Sequence, residues 1–442
     1  MSRSSQITRR KLVGGAAAGT AAAVAGTSRL SETLAARTAP AFLQGGGSLT
    51  YWGGLIFSDD ANNLLVDTIN AWGEENGIET DVVMINQNET VQKVSAAVES
   101  NTMPDALDMG LDLMLLLTNT GQLNELEDTY AAVGEANGGW FPSIESASLL
   151  AGARTGVPFG SSGNLLFSRA DVLEGAGLTP PPTTWQELRE FAAQAQDPPI
   201  YGMGFALSNV GDGNLQMSVL QSYGGRIADD AGTTVTIDSA ETREYMEWVT
   251  GAFADGLFPP GAATWDGAGD NTAYLSGQAI FIANPGSVHL AAREDDPELD
   301  AATFFSALPA GPVMQVAPHG PNFRCIPTST TDVDAAKALI EHLANPEFME
   351  AYYNVAIYGP VLQGYEGFSV FADNPVHAGL LDLVKNGTAP GEPDLYNTAY
   401  ADLSANFIIP KMVQRVVIDG MSIDEAVLEA QEQGQLIYDK YN

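Results

Sequence analysis

The amino-acid sequence predicts an α/β fold whose sheet contains parallel strands. Residues 49–52 (LTYW) and 78–85 are apolar runs of strand length, and the first run is expected to end at Gly53-Gly54. Between the two runs, residues 58–60 (SDD) cap a helix whose apolar positions recur at helical spacing. A strand, a helix and a second strand at this spacing are typical of a parallel sheet covered by helices. In such sheets ligands bind at the carboxyl ends of the strands.

The length and the charge of the chain exclude some classes of protein and favour others. The chain has 442 residues, which at about 100–200 residues per domain favours two cores over one. The first 41 residues hold six of the 19 basic residues and one acid, so the remainder has 13 basic and 54 acidic residues, a net charge of −41. Such a chain repels phosphate backbones, which argues against a nucleic-acid partner. The single cysteine, Cys325, excludes an internal disulfide.

Residues 1–41 are predicted to be a twin-arginine-type export signal. Arg9-Arg10-Lys11 precedes a weakly apolar Ala/Gly run, and Ala39-Pro40-Ala41 offers small residues for cleavage, although Leu12 stands where this signal usually has Phe. The alternative is a basic tail on a membrane anchor, which would need roughly 20 strongly apolar residues. This run is short and rich in Ala and Gly, and no other stretch approaches a membrane span. The protein is therefore expected in the periplasm or at the cell exterior.

Three strings of residues carry a resemblance to a known family. Residues 156–191 read G-V-P, a small polar turn, L-L-F-S-R, A-G-L, P-P and T-W-Q-E-L. G-Q-A-I-F begins at Gly277, and A-K-A-L-I-E-H-L-x-N-P-E begins at Ala336. Together these strings closely resemble extracellular solute-binding protein family 1, the periplasmic receptors of ABC importers, to which maltose-binding protein belongs. The resemblance covers nearly the whole chain after the export signal.

The resemblance implies a two-lobed periplasmic-binding-protein fold with discontinuous lobes and a three-segment hinge. The predicted lobes have these boundaries: lobe 1, residues 42–157 and 322–358; lobe 2, residues 158–321 and 359–442. The predicted crossings between the lobes lie near Val157-Pro158, in residues 318–321 and at Gly359-Pro360. A monomeric protein of this kind would bind a small solute in the cleft and hand it to the permease subunits of an ABC transporter in the membrane.

Candidate ligand contacts in lobe 1 follow the ends of its predicted strands. Trp52 is either a core tryptophan or a platform for a sugar ring, and the sequence does not choose between the two. Asp59 is expected to serve first as a helix cap and second as a ligand contact. Asn88 lies in the loop after the second strand. Asp112 lies in the loop after the next strand, which the resemblance marks as a binding loop.

Candidate contacts in lobe 2 lie in polar turns and beside the crossings. Ser161 belongs to the small polar turn of the central stretch, where free N–H groups and hydroxyls could meet a ligand. Trp265 is a second platform or a loop staple, and the Asp and Gly content of its loop favours the platform. The resemblance adds four further positions: Asn284, Ser287, Asn322 and Tyr358.

The sequence contains little that would support catalysis. It has no G-x-x-x-x-G-K-[ST], G-x-S-x-G or H-E-x-x-H motif, and its four histidines are scattered. We therefore expect no catalytic residue, no metal site and no cofactor. A secreted carbohydrate-active hydrolase remains an alternative, because some pair among the many carboxylates could act as a glycosidase needs. A turnover assay on chromogenic glycosides would separate the two, since a receptor gives no product.

The solute is the remaining question. Aromatic residues and neutral polar turns favour a sugar or oligosaccharide. Within the same class of receptor, a polyamine or other small polar solute is an alternative, because the loops expected at the cleft carry Asp59, Glu89, Asp112 and Asp270.

Overall fold

The computed structural model describes residues 47–56 and 58–441. The predicted export signal lies outside the described residues, and so do the side chains of Gln87 and Asn88. The strands are β1 Ser48–Leu55, β2 Glu79–Asn86, β3 Ala106–Gly110, β4 Gly156–Gly163, β5 Leu165–Arg169, β6 Tyr201–Met203, β7 Ala279–Asn284, β8 Thr303–Ser306 and β9 His319–Cys325. The helices are α1 Asp59–Asn76, α2 Gln87–Ser100, α3 Leu111–Asn119, α4 Glu127–Ala136, α5 Pro142–Ala147, α6 Ala170–Gly175, α7 Trp185–Ala195, α8 Leu215–Ser222, α9 Ala240–Ala254, α10 Gly269–Leu275, α11 Ser287–Asp295, α12 Pro297–Ala301, α13 Val333–His342, α14 Pro346–Val355, α15 Val370–Asp373, α16 Pro375–Asn386, α17 Thr398–Ala405, α18 Ile408–Val417 and α19 Ile423–Tyr438.

The strands form two separate mixed sheets. The first has the order β2-β1-β3-β9-β4, and the second has the order β6-β7-β5-β8. β1 runs parallel to β2 and β3, as the strand–helix–strand pattern predicts, while β9 is antiparallel to both of its neighbours. In the second sheet β6 and β7 are parallel and β5 is antiparallel to β7 and β8. The two sheets give the two-lobed α/β architecture that the sequence predicts.

The expected break of the first strand at Gly53-Gly54 is wrong. β1 continues to Leu55 and stays paired with β2 along its whole length. The glycine at position 53 reflects close packing instead, because a Cβ there would lie 2.7 Å from Sδ of Met84. A glycine inside a strand often marks such a close approach. Trp52 consequently lies within the strand, opposite Val83 and Leu107, and not at its end.

Apolar clusters follow the two sheets. Tyr51 belongs to the cluster on one face of the first sheet, whereas Leu107 and the buried Cys325 belong to the cluster on its other face. We call these two clusters the first core. A larger cluster, the second core, surrounds the strands of the second sheet and includes Phe167 and Phe281. Within the described range no helix has the length and apolar character needed to cross a bilayer.

The chain passes between the two cores at three places. Phe159 lies in the first core and Leu165 in the second, so the first passage lies at the junction of β4 and β5. Ala317 lies in the second core, and β9 begins two residues later in the first sheet. In the third passage Phe371 is still in the first core, while Val376 in α16 is in the second. The lobe boundaries predicted near residues 158, 322 and 359 stay predictions.

Candidate functional site

The ends of the parallel strands in the first sheet lie beside the crossings between the lobes. Gly110, the last residue of β3, pairs with Asn322 of β9, which in turn pairs with Gly160 of β4. In the second sheet Asn284, the last residue of β7, pairs with Leu165, the first residue after the crossing. Loops from both lobes consequently start next to the crossing strands. This is the position that ligands occupy at the carboxyl ends of strands in α/β sheets.

Asp112 lies on a helix that packs against the opposite lobe. It is the second residue of α3, which packs against α17, the helix that carries Ser404. Burial raises the pKa of Asp112 to about 7, and the polar side chain of Ser404 opposes that rise. Asn214, which precedes α8, donates from Nδ2 to Ser404 Oγ at 3.2 Å and to the Ser404 carbonyl at 3.4 Å. The sequence offered no signal for Asn214 or Ser404.

A second buried carboxyl group lies in lobe 2. Asp270 in α10 is 3% exposed, and its Oδ1 accepts the N–H of Asn271 at 2.8 Å. Burial raises the pKa of Asp270 to about 7, and repulsion by the nearby Asp212 carboxylate raises it further. Burial likewise raises the pKa of Asp212. Among the described residues, neither carboxylate forms an ion pair with a lysine or arginine. Both are therefore costly to ionise in this structure.

The raised pKa of Asp270 predicts that stability falls as pH rises. Between about pH 4 and pH 7 the folded protein holds a proton that the unfolded chain has lost, so the free energy of unfolding decreases through this range. Asp270→Asn should make the decline of the thermal midpoint between pH 5 and pH 8 shallower. Asp59→Asn, at an exposed carboxylate, is the matched control and should leave the decline unchanged. Equal slopes for both variants would contradict this assignment.

Trp265 is held in a narrow slot formed by two glycines. A Cβ at Gly269 would lie 2.2 Å from Cγ of the indole, and a Cβ at Gly261 would lie 2.9 Å from its Nε1. The indole can occupy this position only because both neighbours lack side chains. It also packs against the second core, and the residue remains half-buried. The structure thus fixes Trp265 in one orientation and leaves part of the residue accessible to solvent.

Asn284 and Ser287 form a polar network with Asn271. The Oδ1 of Asn284 accepts the N–H of Gly286 at 2.8 Å and the Ser287 hydroxyl at 3.2 Å, and its Nδ2 donates to Asn271 Oδ1 at 2.7 Å. Asn271 Nδ2 donates to Ser287 Oγ at 3.3 Å. Asn284 is 2% exposed and holds the turn that starts α11. Of the pair, Ser287 has the larger accessible surface.

Three predicted contacts lie at the crossings themselves. Ser161 is 1% exposed, and its hydroxyl shares a hydrogen bond of 2.9 Å with Nδ1 of His319. Burial lowers the pKa of His319 to about 4, so the imidazole is neutral at neutral pH. Tyr358 is buried edge-on against Phe159. Asn322 is half-buried and donates to Ser162 Oγ at 2.9 Å. These side chains tie the crossing strands together.

The remaining predicted contacts lie around the first sheet. Trp52 is half-buried against the first core and lines a small cleft, with a cavity volume of about 10 Å³, together with Ile85, Thr90 and Asp108. Asp59 is exposed in the first turn of α1, where Ser58 caps the helix. Asn88 lies in α2, and its side chain is outside the described residues. The cleft beside Trp52 thus has Asp108, and not Asp112, among its lining residues.

The first sheet contains a buried arginine that the sequence analysis missed. Arg324 in β9 is 1% exposed and forms an ion pair of 3.7 Å with Asp108. Its Nε donates to the Tyr51 hydroxyl at 3.3 Å, and that hydroxyl donates to Asp108. Its Nη1 donates to the Leu343 carbonyl at 3.1 Å, and the guanidinium lies 4.5 Å from the ring centre of Phe159. The sequence signal is an arginine between the apolar residues Phe323 and Cys325.

The residues that the structure describes offer no arrangement suited to a metal ion. Among the described residues, no group of three or more His, Cys, Asp or Glu side chains could hold one. The polar groups of the predicted contacts and their partners are hydroxyls, amides and carboxyls, with one fixed indole. Groups of this kind bind a polar organic molecule by hydrogen bonds and ring contacts.

A two-lobed α/β fold with polar loops of both lobes beside three crossings defines the class of solute-binding proteins. Residues 67–378 match the family described as bacterial extracellular solute-binding protein, and the chain belongs to this family. The resemblance found in the sequence is thereby confirmed. Members of this family and the structural neighbours are binding proteins and not enzymes, and the family name places them outside the cytoplasm.

Curated relatives are similar over part of the chain. A protein of Brucella abortus (strain 2308) described as a binding protein is 24% identical over 249 residues, which are 56% of this chain and 59% of that protein. A protein of Deinococcus radiodurans described as an ABC transporter-binding protein is 22% identical over 259 residues, which are 56% of this chain and 61% of that protein. The chain spans about three-fifths of the length of these relatives.

Solved structures share the fold over most of the chain. An ABC transporter solute-binding protein of Thermotoga lettingae bound with α-D-tagatose has a TM-score of 0.77 and 20% identity, and the match covers 89% of this chain and 100% of that one. The maltose-bound MalE3 protein of T. maritima has a TM-score of 0.76 and 19% identity, with 88% and 100% covered. A sugar transporter protein of Arthrobacter chlorophenolicus with bound laminaribiose has a TM-score of 0.75 and 17% identity, with 88% and 99% covered. At these identities the similarity shows the fold alone.

Proposed function

We propose that the chain is the receptor of an ABC importer, and that it binds a sugar or oligosaccharide between its lobes. The observation that carries this proposal is Trp265. Two glycines fix its indole, and the residue as a whole is half-buried. The loop that follows Trp265 in the chain leads to the buried Asp270. The C–H face of a sugar ring packs on a fixed aromatic ring much as other apolar surfaces do. The sugars bound by the structural neighbours support the same solute class.

The polar groups that we propose for the site suit the hydroxyls of a sugar. A sugar hydroxyl both donates and accepts, and so it can pair with carboxyl, amide and hydroxyl groups alike. Asp112 from lobe 1 and Asp270 and Asn271 from lobe 2 offer such groups, and the predicted contacts Trp52, Asn284 and Ser287 would extend the site. The protein would act as a monomer outside the cytoplasm, and the closed, loaded form would be recognised by the permease subunits.

A cationic solute is the second candidate, and a specific observation favours it. Asp112, Asp212 and Asp270 lack a lysine or arginine partner among the described residues. Buried charges in proteins are usually paired, so a polyamine could supply the missing positive charge. The two candidates differ in their dependence on salt, because an ion-paired ligand loses affinity as ionic strength rises.

A thermal-shift screen tests the solute class. A solute that binds only the folded protein raises its stability by RT ln(1 + [L]/Kd), which is about 2.7 kcal/mol at 100 times Kd. We expect the largest rise of the midpoint with a mono- or oligosaccharide and little change with putrescine or spermidine. A rise with the polyamines alone, lost at high salt, would replace the sugar by the cation. Chromogenic glycosides should give no product.

Binding is expected to close the two lobes. A solute that touched only one lobe would have no differential affinity for the closed form and could not shift the equilibrium. The proposed contacts come from both lobes, and the three crossings allow a hinge motion. Small-angle scattering should therefore show a smaller radius of gyration when the solute identified by the screen is added. An unchanged scattering curve with a tightly bound solute would contradict this mechanism.

A further inference from the structure

The third passage between the cores is in contact with a buried histidine. His289 of α11 is 5% exposed, and its Nδ1 lies 2.6 Å from Oδ1 of Asp300 in α12. Its Nε2 lies 3.0 Å from Nδ2 of Asn374, the residue that precedes α16. Asn374 lies between Phe371 of the first core and Val376 of the second. The hydrogen bonds of His289 therefore join α11 and α12 to the segment that passes between the cores.

The hydrogen bonds of Asn374 determine which nitrogen of His289 carries the proton. Oδ1 of Asn374 accepts the N–H of Val376 at 2.9 Å and the N–H of His377 at 3.3 Å. The amide oxygen is thus directed to α16, and the amide nitrogen is directed to His289 and donates to its Nε2. Nε2 can accept only through a free lone pair, so the imidazole is neutral here. Its proton is on Nδ1, which donates to Asp300.

A second proton on His289 is incompatible with the bond to Asn374. The proton would sit on Nε2 and face the N–H of Asn374, so that two donors would oppose each other. Asn374 cannot turn its amide around without giving up the cap of α16, and at 8% exposure water has little access to it. Asp300 keeps its bond to Nδ1 in both states and compensates the positive charge. Protonation therefore strengthens the bond to Asp300 and removes the bond to Asn374.

Four further titratable groups belong to the helices around His289. Arg293 follows it by one turn on α11 and is exposed, and its positive charge opposes protonation. Asp270 and Tyr274 belong to α10, which packs against α11; burial raises the pKa of Asp270 to about 7 and also raises that of Tyr274. His377 lies in the first turn of α16, and burial lowers its pKa. Among the described residues, His289 is the histidine that lies within ion-pairing distance of a carboxylate.

We propose that His289, Asp300 and Asn374 form a pH-sensitive latch on the third passage, and that protonation of His289 releases Asn374 and loosens the start of α16. Imidazole groups take up a proton between about pH 5 and pH 8. The latch is closed at the upper end of this range, where Nε2 accepts from Asn374, and open at the lower end. Because the third passage joins the two cores, acidification loosens one of the three segments about which the lobes would move. The inference goes beyond the proposed function and does not depend on the solute.

Hydrogen–deuterium exchange of the full chain, without any solute, tests the latch. The backbone N–H groups of Val376 and His377 report it directly, because both donate to Oδ1 of Asn374. Protection factors correct for the effect of pH on the intrinsic exchange rate. We expect them to be about fivefold lower at about pH 5.5 than at about pH 8, which corresponds to one hydrogen bond of ordinary strength. The N–H groups of α19 serve as the reference for changes in the stability of the whole protein.

Three variants assign the effect to His289. Asn374→Asp has two accepting oxygens, one for the cap of α16 and one for the protonated Nε2, so its protection should be higher at about pH 5.5 than at about pH 8, the reverse of the unmodified protein. His289→Gln cannot take up a proton and should lose the pH dependence. His342→Gln, at a half-buried histidine of α13, is the matched control and should keep it.

The Asn374→Asp variant decides the test even if His289→Gln does not fold. A carboxylate at the start of a helix is favourable, so this variant should retain the fold. Protection that still falls on acidification in Asn374→Asp, or that falls in a folded His289→Gln as in the unmodified protein, would overturn the proposal. Loss of the pH dependence in His342→Gln would overturn it as well, because the effect would then belong to another histidine.

Discussion

Replacing Arg324 by alanine is expected to reduce the free energy of unfolding by about 3–5 kcal/mol, the range for breaking a buried ion pair by removing one partner. Arg324 is 1% exposed, and its loss leaves the buried Asp108 without a compensating charge. Asp108 would keep only the hydrogen bond from Tyr51 among its present side-chain partners. The Leu343 carbonyl would also lose its donor, and the ring of Phe159 would lose the guanidinium above it.

The matched control is Arg415→Ala. Arg415 forms ion pairs with Asp419 and Glu429, but its side chain is 45% exposed, and surface ion pairs contribute about 0–1 kcal/mol. Urea unfolding followed by tryptophan fluorescence measures both variants. Similar small losses for Arg324→Ala and Arg415→Ala would show that the buried network contributes no more than a surface pair.

Replacing Trp265 by alanine is expected to weaken solute binding by about 1–3 kcal/mol, or about 5- to 150-fold, the scale for losing the burial of one large side chain. The indole fills a slot between two glycines and packs on the edge of the second core. Because Trp265 is only half-buried, the thermal midpoint of the solute-free variant should fall much less than the affinity. Isothermal titration with the solute found in the thermal-shift screen gives the ratio of dissociation constants.

Trp52→Ala is the informative comparison. Trp52 lies within β1, and its neighbours are Val83 and Leu107 on the adjacent strands. If Trp52 is a platform, the variant should lose affinity for the solute and keep its stability. If Trp52 is a core residue, the variant should lose stability in the absence of solute. If Trp265→Ala destabilised the solute-free protein as strongly as it reduced the affinity, Trp265 would be a loop staple and no platform.

The sequence predicted the class of fold because the apolar residues of the first strands and the first helix of lobe 1 recur at the spacing typical of a strand or a helix. Residues 49–52 and 78–85 correspond to β1 and β2, and the helix cap at Ser58 is where the sequence places it. The predicted break at Gly53 fails for a reason that lies outside the strand. The positions of Met84 on the neighbouring strand and of Leu65 in α1 explain why a glycine is needed there.

The candidate site shows the limit of sequence reasoning more clearly. Asp112 could be proposed because it follows a strand end, and strand ends are visible in the sequence. Ser404, on the helix that packs against α3, could not, since the hydrogen bond from Asn214 to Ser404 joins residues 190 positions apart. Ser161, in turn, has the polar turn that favours ligand contact, yet its hydroxyl is buried against His319. Hydroxyl groups with different partners look alike in a sequence.

Because Cys325 is buried, the reaction of its thiol with a reagent reports the unfolding of the protein. The thiol is fully buried at the end of β9, and burial raises its pKa well above the usual value for a cysteine. Thiol reagents attack the thiolate, so the folded protein should be almost inert toward them, and oxidants outside the cell should leave it unmodified. As the chain contains no other cysteine, each modified molecule is one whose first core has opened. The rate of modification therefore measures how often that core opens under native conditions.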